Sequence, residues 1–129
     1  MRKVFTQFSG AKVEKYFESP LKASRLRDGS AMVGTVDSWL LWKLTGNHVT
    51  DVSNASRTML FNINSLEWDD DLCNFFGIPV SALPKVCSSA EIYGNLNASK
   101  LHGIPISGIL GDQQGSGFTS SYKRVRKIA

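Results

Sequence analysis

The residues best placed to do chemistry are Asp112, Gln113 and Gln114, an acid and two amides at the end of the run Ile104-Pro105-Ile106-Ser107-Gly108-Ile109-Leu110-Gly111. In open α/β sheets, ligands gather outside the carboxyl ends of the strands. An acid that follows a strand and a glycine stands over such a crevice, where a carboxylate can handle a proton. The apolar run 104–110 is therefore expected to be a buried strand that delivers Asp112. The same Gly111-Asp112 pair is also a common way to leave a strand through a turn.

Other side chains carry weaker signals. Arg57, in Asn54-Ala55-Ser56-Arg57, suits a phosphate, and it suits a structural salt bridge or cap contact as well. His48 and His102 are isolated and make no catalytic pair. The triplet Asp69, Asp70 and Asp71 stands where a helix begins, and acids there favour the positive helix end over a metal site. Cys73 and Cys87 lie 14 apart with no Cys-x-x-Cys pattern and only two histidines, which argues against zinc and for reduced thiols. No metal ligands are assigned.

The elements that must position these residues form an α/β pattern. Residues 6–19 have a helical pattern; after Pro20, the polar passage Ser24-Arg25-Leu26-Arg27-Asp28-Gly29-Ser30 reads as a linker or surface loop. Thr35 should cap a helix with the face Val36, Leu40 and Leu44, with Trp39 beside it, and Gly46 should stop it. Trp39 and Trp42 are read as packing residues. His48-Val49-Thr50-Asp51-Val52 alternates like a strand and leads into a turn and helix start at Ser53-Asn54. Asp69–Asp71 open a helix that Gly77 closes; Pro79 and Pro84 bracket a turn of helix capped by Ser81. Tyr93 should pack with its hydroxyl in water. Only 104–110 reads as a convincing buried strand, so sheet partners are expected to be missing.

Composition narrows the classes. At 129 residues and 42% hydrophobic, the chain suits one packed domain or part of a larger one. No stretch approaches the ~20 apolar residues of a membrane span, and the start lacks a signal-peptide core, so a cytoplasmic location is expected. The sequons at Asn54 and Asn97 then carry no glycosylation meaning. Lys123, Arg124, Arg126 and Lys127 account for the whole net charge of +4. A basic end on a neutral body is a poor nucleic-acid face.

Several long motifs together resemble the glycerol kinases of the FGGY carbohydrate kinase family, which have a ribonuclease-H-like (actin-like ATPase) fold. They are Gly34-Thr35-Val36-Asp37-Ser38-Trp39-Leu40-Leu41-Trp42-Lys43-Leu44-Thr45-Gly46, the segment Thr50 to Ile63 with Leu66-Glu67-Trp68-Asp69, then Phe76-Gly77-Ile78-Pro79, Leu83-Pro84, Ser88 to Gly94 and Ile104 to Gln114. Phe8-Ser9-Gly10-Ala11-Lys12-Val13 resembles the family's signature helix. Gln7 stands where the family has a glycerol-contacting tyrosine, and Lys15 stands where it has a tryptophan. Gln7 lacks the rigid aromatic donor, and Lys15 puts a charge where an apolar face is expected.

The resemblance implies a partial N-terminal kinase domain over residues 1–114, with an incomplete sheet, and a divergent, flexible basic tail over 115–129. It implies Asp112 as the base that deprotonates a terminal hydroxyl of glycerol as it attacks the γ-phosphate of ATP, with Mg²⁺ carried on the nucleotide. Gln113 is then the matching polyol contact, since an amide both donates and accepts. The segments that bind ATP lie outside the match, so no cofactor-binding residues are assigned and activity of the chain alone is open. The alternatives are a non-catalytic paralogue that associates with full-length kinase subunits or another partner, a kinase of another small polyol, and a weak anion binder acting through the tail.

Overall fold

The computed structural model describes residues 3–5, 19–97 and 100–116. The helical pattern at 6–18, with Gln7 and Lys15, and the tail from 117 onward lie outside the described residues. The described part opens with strand β1 (Lys3–Phe5), helix α1 (Pro20–Arg27), strand β2 (Ala31–Val33) and helix α2 (Val36–Thr45). Strand β3 (Val49–Asp51) runs straight into helix α3 (Val52–Ala55), and the hairpin β4 (Phe61–Asn62) and β5 (Glu67–Trp68) precedes helix α4 (Asp70–Phe75). A 3₁₀ turn at Val80–Ala82 leads to β6 (Lys85–Cys87), and β7 (Gly94–Asn95) pairs with β8 (Pro105–Ile106).

The strands form four two-stranded sheets. Two pairs are parallel, β1 with β2 and β3 with β6, the latter in register Val49 to Lys85 and Asp51 to Cys87. The pairs β4–β5 and β7–β8 are antiparallel. Parallel pairing needs a long crossover, and the β3-to-β6 crossover carries α3, the β4–β5 hairpin and α4.

Several local expectations change. The passage after Pro20 is helical, because proline sits at the first helical turn, where no N–H is needed, and Leu26 is buried at its far end. Helix α2 has the predicted limits, and Gly46 closes it with φ of 84°, a left-handed value that glycine adopts freely. Its buried residues are Ser38 and Leu41, while Val36, Trp39 and Leu40 stay exposed. Thr35 makes no side-chain cap bond; the Ser38 hydroxyl donates to the Thr35 carbonyl at 2.9 Å instead. The terminal carbonyls of α2 are met by Asn97, whose backbone N–H reaches Leu44 at 2.8 Å and whose Nδ2 reaches Thr45 at 3.1 Å. Asp69 caps α4 by accepting the Leu72 N–H at 3.0 Å. The 3₁₀ turn starts from Pro79, with Ser81 inside it and making no cap.

The expected strand at 104–110 shrinks to Pro105–Ile106, and Ile104 and Leu110 are exposed. Strand β2 is buried along its whole length. Apolar composition alone does not make a strand; a partner ladder does, and here only β7 supplies one.

Two apolar clusters organise the core. One gathers Leu26, Val33, Leu60, Cys73, Ile78 and Leu83, with Trp68 and Phe76 packed against it. Trp68 meets Phe61 edge-on at 5.8 Å and donates its ring N–H to the Pro84 carbonyl at 2.8 Å. The other cluster joins Leu41, Cys87 and Tyr93, with Val49, Ile106 and Ile109 at its edge. Among the described residues, no helix is long and apolar enough to cross a membrane.

Candidate functional site

The parallel pair β3–β6 fixes the site. Its two strands end side by side at Asp51 and Cys87, and the segments that follow, Ser53-Asn54 and Ser88-Ser89, emerge at one edge. Asp51 ends β3 and caps α3. Asp at the N-cap accepts the first free N–H groups of a helix. Its carboxylate, fully buried, accepts from the Ser53 N–H at 3.1 Å, the Asn54 N–H at 3.1 Å, the Asn54 Nδ2 at 2.7 Å and the Ser53 hydroxyl at 2.5 Å. The Ser89 hydroxyl donates to the same oxygen as Ser53. Burial pushes the Asp51 carboxyl upward, yet the bonds from Ser53, Ser89 and Asn54 together outweigh it and hold the group below the usual aspartate value.

The segment that carries Asp112 lies across this edge. The Gly111 N–H donates to the Ser53 hydroxyl oxygen at 2.9 Å, and the Ile109 N–H donates to the Ser89 carbonyl at 3.0 Å. Ile109 packs on the Leu41, Cys87 and Tyr93 cluster. Gly111 is buried, and a Cβ there would stand 2.6 Å from the Gln114 side-chain oxygen, so a larger residue would have to push the end of that flexible side chain aside. Residues 112–116 then turn helically, with the Asp112 carboxylate exposed and accepting the Gln113 N–H at 2.8 Å.

Asp112 and Gln113 thus stand at the carboxyl ends of strands, as expected, though the strands are β3 and β6 and not the run that precedes them. Arg57 joins them, since its guanidinium donates to the side-chain oxygen of Gln113 across 56 residues. The site brings together an exposed carboxylate, an amide and a guanidinium. That set can take a proton from a hydroxyl, hold a second hydroxyl and attract an anion.

Three contributors escaped the sequence reading. The partnership of Arg57 with Gln113 has no local signal. The pattern Asp51-x-Ser53-Asn54, an Asp followed by donors two and three residues on, is the N-cap signature that would have revealed the Asp51 cluster. Tyr93 is the third: its hydroxyl is not wet but donates to the Ser88 carbonyl, and the ring is buried. Burial, with the nearby charge of Asp51, pushes its phenol well above the usual tyrosine range.

The thiols are poor nucleophiles. Burial, with the charges of Asp70 and Asp69, pushes Cys73 up to about 11, and burial with Glu91 raises Cys87 against the opposing Lys85. Both are free and buried. A cleft of about 490 Å³ lies elsewhere, lined by Met32, Trp42, His48, Lys85, Glu91 and Tyr93 among others; Asp112, Gln113 and Arg57 do not line it.

Comparison with known proteins decides the lineage. The model of the FGGY family of carbohydrate kinases, N-terminal domain, matches residues 12–119. The chain belongs to this family. Within it, the chain is 50% identical over 108 residues to a probable glycerol kinase of Caenorhabditis elegans, covering 83% of this chain and 22% of that protein. It is 47% identical over 114 residues to the glycerol kinase of Nocardia farcinica, covering 88% of this chain and 23% of that protein. The chain spans less than a quarter of the length of the curated relatives it matches. Among solved structures, Plasmodium falciparum glycerol kinase with ADP superposes with a TM-score of 0.77 at 36% identity, over 81% of this chain and 22% of that one. Xylulose kinase from Rhodospirillum rubrum, at 24% identity and a TM-score of 0.68 over 83% of this chain and 23% of that one, shares the fold. The architecture is part of the actin-like ATPase fold of these FGGY kinases, with small, incomplete sheets.

Proposed function

We propose that this chain carries the acceptor side of a kinase site that transfers the γ-phosphate of ATP to glycerol, giving glycerol 3-phosphate, with Asp112 as general base. A terminal hydroxyl of glycerol attacks the γ-phosphorus; the new O–P bond forms as the bond to ADP breaks, and the proton passes to the Asp112 carboxylate. Gln113 holds a neighbouring hydroxyl. Arg57 keeps the Gln113 amide oriented and adds positive charge beside the transferred group. Gln7, in place of a tyrosine, would contact glycerol through a flexible amide and not a rigid phenol. Residues 1–114 are read as part of the kinase's N-terminal domain and 115–129 as a tail.

The single observation that carries the reading is the fastening of the Asp112-Gln113 pair beside Arg57 at the strand ends, in a chain about half identical to proteins named glycerol kinase. Among the described residues, no three His, Cys, Asp or Glu side chains gather as a metal-holding group. Mg²⁺ is read, by resemblance, as arriving with ATP.

The test is ATP-dependent phosphorylation of glycerol by the 129-residue chain beside its Asp112→Asn variant, with xylulose, gluconate and dihydroxyacetone as competing acceptors. General-base removal should lower turnover by roughly 10²–10⁴-fold. Equal turnover in the variant, or preference for another acceptor, would overturn the assignment.

A second reading, association with a kinase subunit or another partner, is supported by the exposed Val36, Trp39 and Leu40 on one side of α2. Light scattering on the chain and on Trp39→Ser separates it: concentration-dependent association that the variant abolishes would favour this reading, and a monomer at all concentrations would remove self-association from it.

A further inference from the structure

We propose that Asp51 is the positioning residue of the Asp112 segment, acting through Ser53 and Ser89. The proposal rests on the reading of Asp112 as the base. It goes beyond that reading by saying what holds the base in place.

The geometry has a single hub. The two residues that fasten the segment are Ser53, through its hydroxyl to Gly111, and Ser89, through its carbonyl to Ile109. Both of those residues also donate their hydroxyls to one oxygen of Asp51. A helix cap would need only the backbone N–H groups of Ser53 and Asn54. The two serine hydroxyls are additional, and they come from the segments after β3 and β6, 36 residues apart in sequence.

Proton direction gives the hub its function. An ionised carboxylate can only accept, so the Ser53 hydroxyl must point its hydrogen at Asp51 and turn a lone pair toward Gly111. Gly111 then donates into an oxygen whose orientation is already fixed. An asparagine at position 51 keeps one acceptor oxygen and replaces the other with an amide NH₂, so the five donors can no longer all find an acceptor. Among the described residues the five donors to Asp51 are uncharged, so these bonds hold the site by direction. A serine whose hydroxyl can rotate does not hold Gly111 in one place.

The test is residue-resolved amide hydrogen exchange on the full chain and on Asp51→Asn, Ser53→Ala and Ser53→Thr, read at Gly111 and Ile109 with Cys73 and Ile78 as core references. Asp51→Asn should speed exchange at Gly111 and Ile109 together by about tenfold or more and leave the references protected. Ser53→Ala should free Gly111 alone, and Ser53→Thr, which keeps a hydroxyl, should restore it. Unchanged exchange at both amides in Asp51→Asn, or a rise spread equally over the references, would overturn the proposal. Should Asp51→Asn fail to fold, the Ser53 pair decides: Gly111 equally protected in Ala and Thr overturns it. Equal kinase turnover in Asp112→Asn would contradict the base assignment and leave the exchange result standing. In an active chain, Asp51→Asn should lower kcat more than it raises KM for glycerol.

Discussion

Leu60 and Asp51 are both wholly buried, and the clusters around them are built on opposite principles. Around Leu60, the side chains of Leu26, Val33, Ile78 and Leu83 exclude water without directional bonds. Around Asp51, a carboxylate sits in a ring of five donors, and every contact has a direction. Apolar packing tolerates small shifts because its energy depends on area. A hydrogen-bonded carboxylate does not, because an unmet buried acceptor is costly. The first region makes the fold stable; the second makes one segment of it exact in position. The segment with the residues proposed to act on the acceptor, Asp112 and Gln113, is attached to the second.

Three substitutions sharpen that contrast. Leu60→Ala should have the largest effect on stability, about 2–5 kcal/mol lost in a urea titration, because Leu60 is wholly buried in the apolar cluster. Gly111 should stay as well tied to Ser53 in the fraction that remains folded; its release would mean that the two regions are one. Arg57→Ala removes the exposed partner of Gln113 and should cost about 0.5–1 kcal/mol of acceptor binding, read as a rise of up to roughly fivefold in KM for glycerol with little change in melting temperature. Val36→Ser should be smallest, within about 0.5 kcal/mol of wild type, since Val36 stands exposed at the start of α2. A large loss there would show that the exposed face is packed against something in solution.

How much of this was legible in the residues follows the same division. Helix α2 could be read to its ends because Thr35 and Gly46 punctuate it, and Asp69 announced α4. The buried side of α2 could not: Val36, Leu40 and Leu44 are more apolar than Ser38, yet Ser38 and Leu41 are the ones covered. Which side is covered depends on strands 49–51 and 94–95, and a helix's own sequence does not name its neighbours. The run 104–110 shows the same limit, since its composition promised a strand and only β7 was there to pair with it. Asp112 and Gln113, proposed as base and polyol contact, were picked out by position and chemistry. Arg57 was open between two roles, and its bond to Gln113 spans too much sequence to be foreseen. Asp51 was passed over as a strand residue, although Ser53 and Asn54 behind it carried the cap signal.

The pH dependence of the Asp51 cluster reaches the central claim most directly. Its folded carboxyl lies below the ordinary aspartate value, so the ionised form is favoured by folding. The stability it contributes is therefore present above the unfolded value of about 3.9 and is lost as pH falls through the lower folded value. The measurement is a carbon-13 titration of the Asp51 carboxyl with amide exchange at Gly111, Ile109, Cys73 and Ile78 followed over the same pH series. The predicted result is a midpoint below that of a free aspartate, with Gly111 and Ile109 losing protection at that midpoint before Cys73 and Ile78 do. An Asp51 that titrates while Gly111 and Ile109 keep their protection would contradict the account, because the segment bearing Asp112 would then be held by something other than Asp51.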